Sequence, residues 1–196
     1  MMSNLTISRT EIPDVICFVP RRFGDARGWF SETYSMHAFS DLLGGTVFVQ
    51  DNQAFSAQSG TLRGLHFQRP PEPQAKLIRV LRGSIFDVAV DLRIGSPTYG
   101  HWVGETLTAE GGEQLFVPRG FAHGYCTLEP NTEVAYKVDG FYAPECDAGL
   151  AWNDPMIGIT WPIAPQEAIL SDKDKRLPGF ADFISPFRYQ TAQAPV

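Results

Sequence analysis

Gly112-Glu113-Gln114-Leu115-Phe116-Val117-Pro118-Arg119-Gly120-Phe121-Ala122-His123-Gly124 is the stretch on which the fold turns. A short apolar run of strand character leads to a Pro-x-Gly turn, and His123 then stands just before another strand. The chain on either side has the same texture. Leu77-Ile78-Arg79-Val80-Leu81-Arg82 stops at Gly83, and Ser84 to Leu92 follows at once, with Ile85, Val88 and Val90 set among Asp87 and Asp91. These two runs are expected to form a strand pair joined by a tight turn. Gly95-Ser96-Pro97-Thr98 then breaks the chain. Further strands are expected at His101 to Leu107, Gln114 to Val117, Gly124 to Leu128 and Glu133 to Val138.

Short strands parted by Gly and Pro turns predict an all-β sandwich or barrel with only a few short helices. Two stretches have helical character: Ser35 to Leu43, with apolar Met36, Phe39, Leu42 and Leu43, and a turn after Ser171, which can cap it. In a closed barrel the lumen can hold one small ligand, so function is to be sought among polar side chains that point inward from strands.

Size and composition are compatible with that reading. The chain has 196 residues, 43% of them hydrophobic and 19% charged, which excludes a disordered chain. With no repeat, low-complexity tract or linker, it reads as one domain, 1–196: N-terminal strands and an arm over 1–50, a barrel core over 51–150 and a C-terminal segment over 151–196. A net charge of -6 disfavours nucleic-acid binding, so an anionic ligand needs a local cationic pocket. Cys17, Cys126 and Cys146 are odd in number and lack CxxC spacing, which argues against a disulfide framework or a zinc knuckle. The N-terminus lacks the apolar core of a signal peptide, and no apolar run reaches membrane-spanning length, so no membrane association is expected and a cytoplasmic location is.

Several constellations can carry chemistry. Arg63 and His66 lie in Gly60-Thr61-Leu62-Arg63-Gly64-Leu65-His66-Phe67-Gln68, and Lys76 follows ten residues after His66. A lone His in a β-protein is ordinarily a surface or satisfied core residue. The three converge in one pocket if Lys76 faces inward. Alternation puts Tyr136 on the face of Val134 and Val138, where a buried hydroxyl needs a partner and can serve as a proton donor. Tyr142 opens a loop and can stack on a flat ring. Ser171 to Lys175 reads as a solvated charge run. Phe23 to Glu32 and Val47 to Asn52 read equally as loops or as contacts to phosphate and base.

The spacing Gly-x5-Pro-x-Gly-x2-His over 112–123 resembles the second motif of the cupins and implies a jelly-roll barrel. Metal-binding cupins carry His-x-His and a following Glu in their first motif, but here the run reads His66-Phe67-Gln68. That leaves His66 and His123, with Glu72 near in sequence, where a metal generally needs three protein ligands, so no metal is expected. His37 and His101 read as surface or structural residues.

Taken together the motifs resemble the dTDP-4-dehydrorhamnose 3,5-epimerase family over nearly the whole chain, from Thr10 to Asp174. The resemblance rests on Phe23-Gly24-Asp25 with Arg27-Gly28, Phe48 to Asn52, Leu62 to Gln68, Phe86 to Arg93, Ser96 to Gly100, Gly120 to Gly124 and Trp152-Asn153-Asp154. It implies that His66 is the catalytic base and Asp174 its paired carboxylate. It implies that Lys76 lies beside the sugar ketone and that Tyr136 is the proton donor across the ring. It assigns substrate binding to Arg27, Glu32, Gln50, Asp51, Asn52, Arg63, His123 and Lys173, and stacking on thymine to Tyr142. Arg27 and Glu32 are implied to reach a neighbouring subunit's site in a homodimer with exchanged arms. Asp147 stands where the family frequently has Glu.

The implied substrate is a dTDP-4-dehydro-6-deoxyhexose, whose C3 and C5 protons are both α to the C4 ketone. Removing either makes an enolate, which needs oxyanion stabilisation and no cofactor. Imidazole serves as base near neutral pH, and a carboxylate fixes its tautomer. Inversion needs a proton from the opposite face. Three rivals remain within the fold: a 3- or 5-mono-epimerase of a related pathway, a metal-dependent cupin oxygenase and a non-catalytic sugar-binding cupin.

Overall fold

The computed structural model describes residues 4–40 and 42–190. Thirteen strands are assigned: β1 Leu5–Arg9, β2 Ile16–Pro20, β3 Phe23–Asp25, β4 Gly28–Phe30, β5 Gln50–Ser56, β6 Leu62–Gln68, β7 Lys76–Arg82, β8 Ser84–Asp91, β9 Trp102–Thr108, β10 Gln114–Val117, β11 Phe121–Thr127, β12 Thr132–Val138 and β13 Asp147–Gly149. A six-stranded sheet runs β1-β2-β10-β7-β12-β5, and a five-stranded sheet runs β13-β6-β11-β8-β9. The β3–β4 ribbon stands apart as a two-stranded arm. Two antiparallel sheets face to face make the jelly roll that the sequence pattern predicts.

The strands fall close to their expected places, but their pairing differs at one point. The turn at Gly83 does not close a hairpin. β7 pairs with β10 and β12, whereas β8 pairs with β11 and β9, so Gly83 carries the chain from one sheet to the other. The reason is visible in β8, which is buried on both faces. Ile85 and Ala89 pack between the sheets, while Val88 and Val90 pack on the outer side. β11 also starts earlier than expected, at Phe121, which places His123 within the strand.

The inter-sheet core holds Ile78, Val80, Leu115, Val117 and Val134 from one sheet and Ile85, Ala89, Val103, Leu107, Phe121 and Tyr125 from the other. The chain after β13 covers the outer face of the five-stranded sheet with Leu150, Trp152, Ile157 and Trp161. The Trp161 indole N–H is satisfied by the Trp152 carbonyl at 2.8 Å. The expected helix over 35–43 is a single turn, α1, Met36–Phe39. Only Phe39 and Leu43 of its apolar residues are buried, against Phe18 and Phe116, because Met36 and Leu42 remain exposed. Among the described residues no helix is long and apolar enough to cross a membrane.

One irregularity positions the site. Opposite β11, His66 pairs with His123 but Arg63 pairs with Tyr125, so β6 takes three residues where β11 takes two. Strict alternation would put Arg63 and His66 on opposite faces. The extra residue turns both toward the interior, as a bulge does. Gly64 makes this possible: its φ is +134°, and a Cβ there would lie 2.6 Å from Gly124 Cα and 2.9 Å from the His123 carbonyl oxygen. Gly64→Ala is therefore expected to cost about 3 kcal/mol in urea unfolding, from backbone conformation plus overpacking. Gly95→Ala, at φ +86° in open space, should cost only about 1 kcal/mol. Equal costs at the two positions would show that the Gly64–Gly124 approach is unimportant.

Candidate active site

Inward-facing residues from both sheets enclose a chamber of about 460 Å³ lined by Arg63, His66, Lys76, His123, Tyr136 and Asp174, among others. A recess of about 230 Å³ adjoins it, sharing His66, Lys76, Tyr136 and Lys173 and adding Gln50, Asn52, Gln68, Tyr142 and Asp147. Lys76 does face inward, on the same side of β7 as Ile78 and Val80. Tyr136 projects from β12 with Val134 and packs against the inter-sheet core. Thus Arg63, His66 and Lys76 share one cavity, with His66 on the five-stranded sheet and Lys76 and Tyr136 on the six-stranded sheet opposite.

His66 Nε2 lies 2.6 Å from Asp174 Oδ1. Asp174 is only 4% exposed and His66 30%, so the carboxylate is hidden while the imidazole reaches the chamber. Asp174 opens a 3₁₀ turn, Asp174–Arg176, and its backbone N–H donates to Ser171 Oγ at 3.1 Å. Ser171 thus caps the turn as its sequence position suggests, and the charge run beyond it is not simply solvated. Burial alone would raise the Asp174 carboxyl, but its hydrogen bond to His66, the His66 charge, Ser171 and Lys173 hold it below the usual carboxylate range. An ionised carboxylate can only accept, so the pair fixes the proton on Nε2 and leaves the Nδ1 lone pair free to take a proton.

Burial pushes the Lys76 ammonium down to about 8, against the opposing charges of Asp87 and Asp147 and with the help of Lys173. Burial raises the Tyr136 phenol, partly offset by Arg63, so it stays a neutral acid near pH 7. His123 is held by Asp87, Nε2 to Oδ1 at 2.5 Å, and burial favours its neutral form. Lys173 pairs with Asp147, whose Oδ2 also accepts from the Tyr142 hydroxyl at 3.4 Å. Arg63, Lys76 and Lys173 supply the local cationic pocket that an anionic ligand needs in a net-negative chain.

Gln68 has a different task from ligation. Its amide N–H groups donate to the carbonyls of Glu72 and Phe141 at 2.6 and 3.2 Å, and its oxygen accepts from Ala143 N–H at 2.9 Å. The side chain is buried and clamps the loop that carries Tyr142. Among the described residues no three His, Cys, Asp or Glu side chains gather as a metal-holding group. The three cysteines are free and buried, and His37 and His101 are exposed.

Three of the sequence-derived residues, Asp51, Arg27 and Glu32, line neither the chamber nor its recess. Gln50, Asp51 and Asn52 are consecutive on β5, and a strand cannot aim all three one way. Gln50 and Asn52 turn inward, hydrogen-bonded to each other at 2.9 Å, and Asp51 turns out to an ion pair with Lys137 at 2.8 Å. Arg27 and Glu32 are exposed in and beside the β3–β4 arm, where Arg27 pairs with Asp25. Conversely, sequence reading passed over Asp87, which is 0% exposed behind His123. The available signal was an Asp inside a run with apolar residues at both parities, Ile85 and Ala89 on one, Phe86, Val88 and Val90 on the other.

Such a chamber, with a carboxylate-oriented imidazole on one wall and a lysine and a phenol on the other, defines a jelly-roll enzyme of acid–base proton transfer. Comparison with known proteins gives the family. Residues 9–182 match the family model described as dTDP-4-dehydrorhamnose 3,5-epimerase. The dTDP-4-dehydrorhamnose 3,5-epimerase of Pseudomonas aeruginosa is 51% identical over 177 residues, 89% of this chain and 96% of that one. The crystal structure of the Bacillus anthracis protein of the same name, with TDP and PPi bound, is 48% identical with a TM-score of 0.85, covering 89% of this chain and 99% of that one. That of the Legionella pneumophila dTDP-6-deoxy-D-glucose-3,5-epimerase in complex with dTDP-4-keto-L-rhamnose is 40% identical with a TM-score of 0.90, covering 95% and 100%. The chain belongs to the dTDP-4-dehydrorhamnose 3,5-epimerase family, and it is an isomerase.

The Asp174 carboxyl, depressed in the folded protein, contributes stability above its unfolded value, and that stability is lost as pH falls through the folded value. Asp174→Asn is accordingly expected to unfold more easily than the parent near neutral pH, with the gap closing in acid. A gap that stays constant with pH would show that the His66–Asp174 charge interaction contributes nothing. In turnover the same variant should lose about 10²- to 10⁴-fold in kcat, as other orienting carboxylates do.

Proposed function

We propose that this protein inverts C3 and C5 of dTDP-4-dehydro-6-deoxy-D-glucose, giving dTDP-4-dehydro-L-rhamnose for dTDP-L-rhamnose biosynthesis, with the whole chain acting as one epimerase domain. The observation that carries the reading is the His66–Asp174 contact at 2.6 Å facing Lys76 and Tyr136 across one chamber. His66 takes the proton from the carbon next to the ketone, and Asp174 stabilises the imidazolium that forms. Lys76 donates to the oxygen that becomes the enolate oxygen. Because Tyr136 projects from the opposite sheet, it is suited to return a proton to the other face of the ring. Two such rounds invert two centres without any electron transfer.

Binding follows the charge. Arg63 and Lys173 suit the diphosphate, Gln50, Asn52 and His123 suit polar groups of the ligand, and Tyr142, 59% exposed at the mouth, offers a ring face for the base. The arm supports a homodimer: Trp29 and Phe30 are 59% and 69% exposed on a ribbon paired to neither sheet. Arg27 and Glu32 would then serve the partner's chamber, and Asp51, turned outward, would not touch substrate through its side chain in its own. We place the protein in the cytoplasm, as a family working on a soluble sugar nucleotide would be.

Incubation with dTDP-4-dehydro-6-deoxy-D-glucose in deuterated buffer, followed by NMR, tests the chemistry. Deuterium is expected at both C3 and C5; label at one centre only would make the protein a mono-epimerase, and tight binding without label a sugar-binding module. His66→Ala should abolish label at both carbons, and Tyr136→Phe should slow inversion more than wash-in. Lys76→Ala should lower turnover about 100-fold, the loss seen for single oxyanion donors. Sedimentation should give a dimer, with Trp29→Ala plus Phe30→Ala shifting it toward monomer and lowering kcat/KM together. A fully active monomer would remove the arm from the site.

A further inference from the structure

Asp87 sits at the centre of β8, 0% exposed, and no step above uses it. Its Oδ1 accepts from His123 Nε2 at 2.5 Å, while Oδ2 has no hydrogen-bond partner among the described residues. An ionised carboxylate half-satisfied in a core is strongly destabilising unless another charge answers it. The neighbouring groups narrow what that charge is. Tyr125, directly across on β11, has an unpartnered hydroxyl and is a neutral group, which burial raises further. Glu105, opposite on β9, is an acid.

Two chamber cations lack an ion pair among the described residues, Arg63 and Lys76, but Arg63 is occupied by the Phe55 carbonyl and Ser56 Oγ, and Lys76 is the one whose charge Asp87 supports. Of the four lysines it is the one with no ion pair among the described residues, since Lys137, Lys173 and Lys175 each have a carboxylate. The groups around it are Asp87 from β8, Asp147 from β13, His123 and Tyr125 from β11, His66 and Arg63 from β6, Tyr136 from β12, and Lys173 and Asp174. Asp147 is already engaged by Lys173. Asp174 is engaged by His66. His123, which burial together with Lys76 and His66 holds neutral against the pull of Asp87, does not spend the Asp87 charge. Asp87, on the sheet facing Lys76, is thus the anion not committed to another cation.

We propose that Asp87 is a positioning residue for the epimerisation: Oδ1 fixes the orientation of His123, and the unpartnered Oδ2 supplies the buried negative charge that keeps Lys76 an ammonium. This rests on the reading of Lys76 as the partner of the enolate oxygen. The direction of its titration agrees, because burial lowers it to about 8 and Asp87 is the largest influence that raises it. Loss of that influence would leave much of Lys76 uncharged at neutral pH.

Asp87→Asn keeps the shape and an acceptor for His123 and removes the charge. Titration of Lys76 by NMR of ¹³Cε-labelled lysine, in the whole protein without ligand, should move to lower pH by about one unit, a tenfold change in the protonation equilibrium. The basic limb of kcat/KM should move with it, since that profile reports the free enzyme. A folded Asp87→Asn protein with an unmoved Lys76 midpoint overturns the proposal, as does an activity loss of the same factor at every pH. If the variant does not fold, the parent protein decides: the Asp87 carboxyl carbon must report an ionised group at neutral pH, and a protonated one overturns the proposal. The lysine titration is independent of turnover, so a parent protein that does not turn over the substrate, with the expected Lys76 shift in Asp87→Asn, would sink the role of Lys76 at the enolate and leave the action of Asp87 on Lys76 standing.

Discussion

Where β6 crosses β11, Gly64 and Gly124 lie backbone against backbone, and the site depends on that contact. Added Cβ atoms would lie 2.6 Å from Gly124 Cα at Gly64 and 2.9 Å from the Arg63 carbonyl oxygen at Gly124. Only because neither residue has a side chain can β6 take its extra step and turn Arg63 and His66 to one face. The run Arg63-Gly64-Leu65-His66 is therefore a backbone device as much as a pair of chamber-lining side chains. Leu65, the residue displaced by the step, is fully buried on the outer face of the sheet.

Charge is organised around the same wall. Two His–Asp pairs stand side by side, His66–Asp174 and His123–Asp87, their imidazoles paired across β6 and β11. They differ in access. His66 is partly exposed, lines the chamber and has a ring nitrogen outside the Asp174 contact, which suits a base, whereas His123 is buried and suits a fixed contact. Opposite them stands Lys76, which in the proposed reaction supplies the positive charge for the enolate oxygen. Water-poor surroundings strengthen each of these interactions and also lower Lys76, so its state depends on the anions left over by the other pairs.

Much of this was legible in the sequence. Strand positions follow from short alternating runs and Gly/Pro punctuation, and the 112–124 spacing gives the jelly roll. The facing of Tyr136 with Val134 and Val138 follows from the two-residue period. Other features were not legible, for reasons that can be named. The Gly83 turn looks like a hairpin locally, because turn chemistry does not report which sheet the next strand joins. Asp51 looked like part of a binding triplet with Gln50 and Asn52, until the period of β5 separated it from them. Gln68 was legible as the absence of a ligand but not as the clamp on the Tyr142 loop, since its partners lie at 72, 141 and 143.

The sequence by itself determined the class of fold, the residue types of the chemistry and the family, because these rest on local spacing and on ordered motifs. The tertiary structure alone decided which of those residues meet. His66 and Asp174 are 108 residues apart, and their 2.6 Å contact exists only once the C-terminal segment folds back over the five-stranded sheet. Asp87 shows the same limit: in sequence it is one polar residue in a strand. Burial on both faces of β8 makes it a charge that must be answered from the opposite sheet.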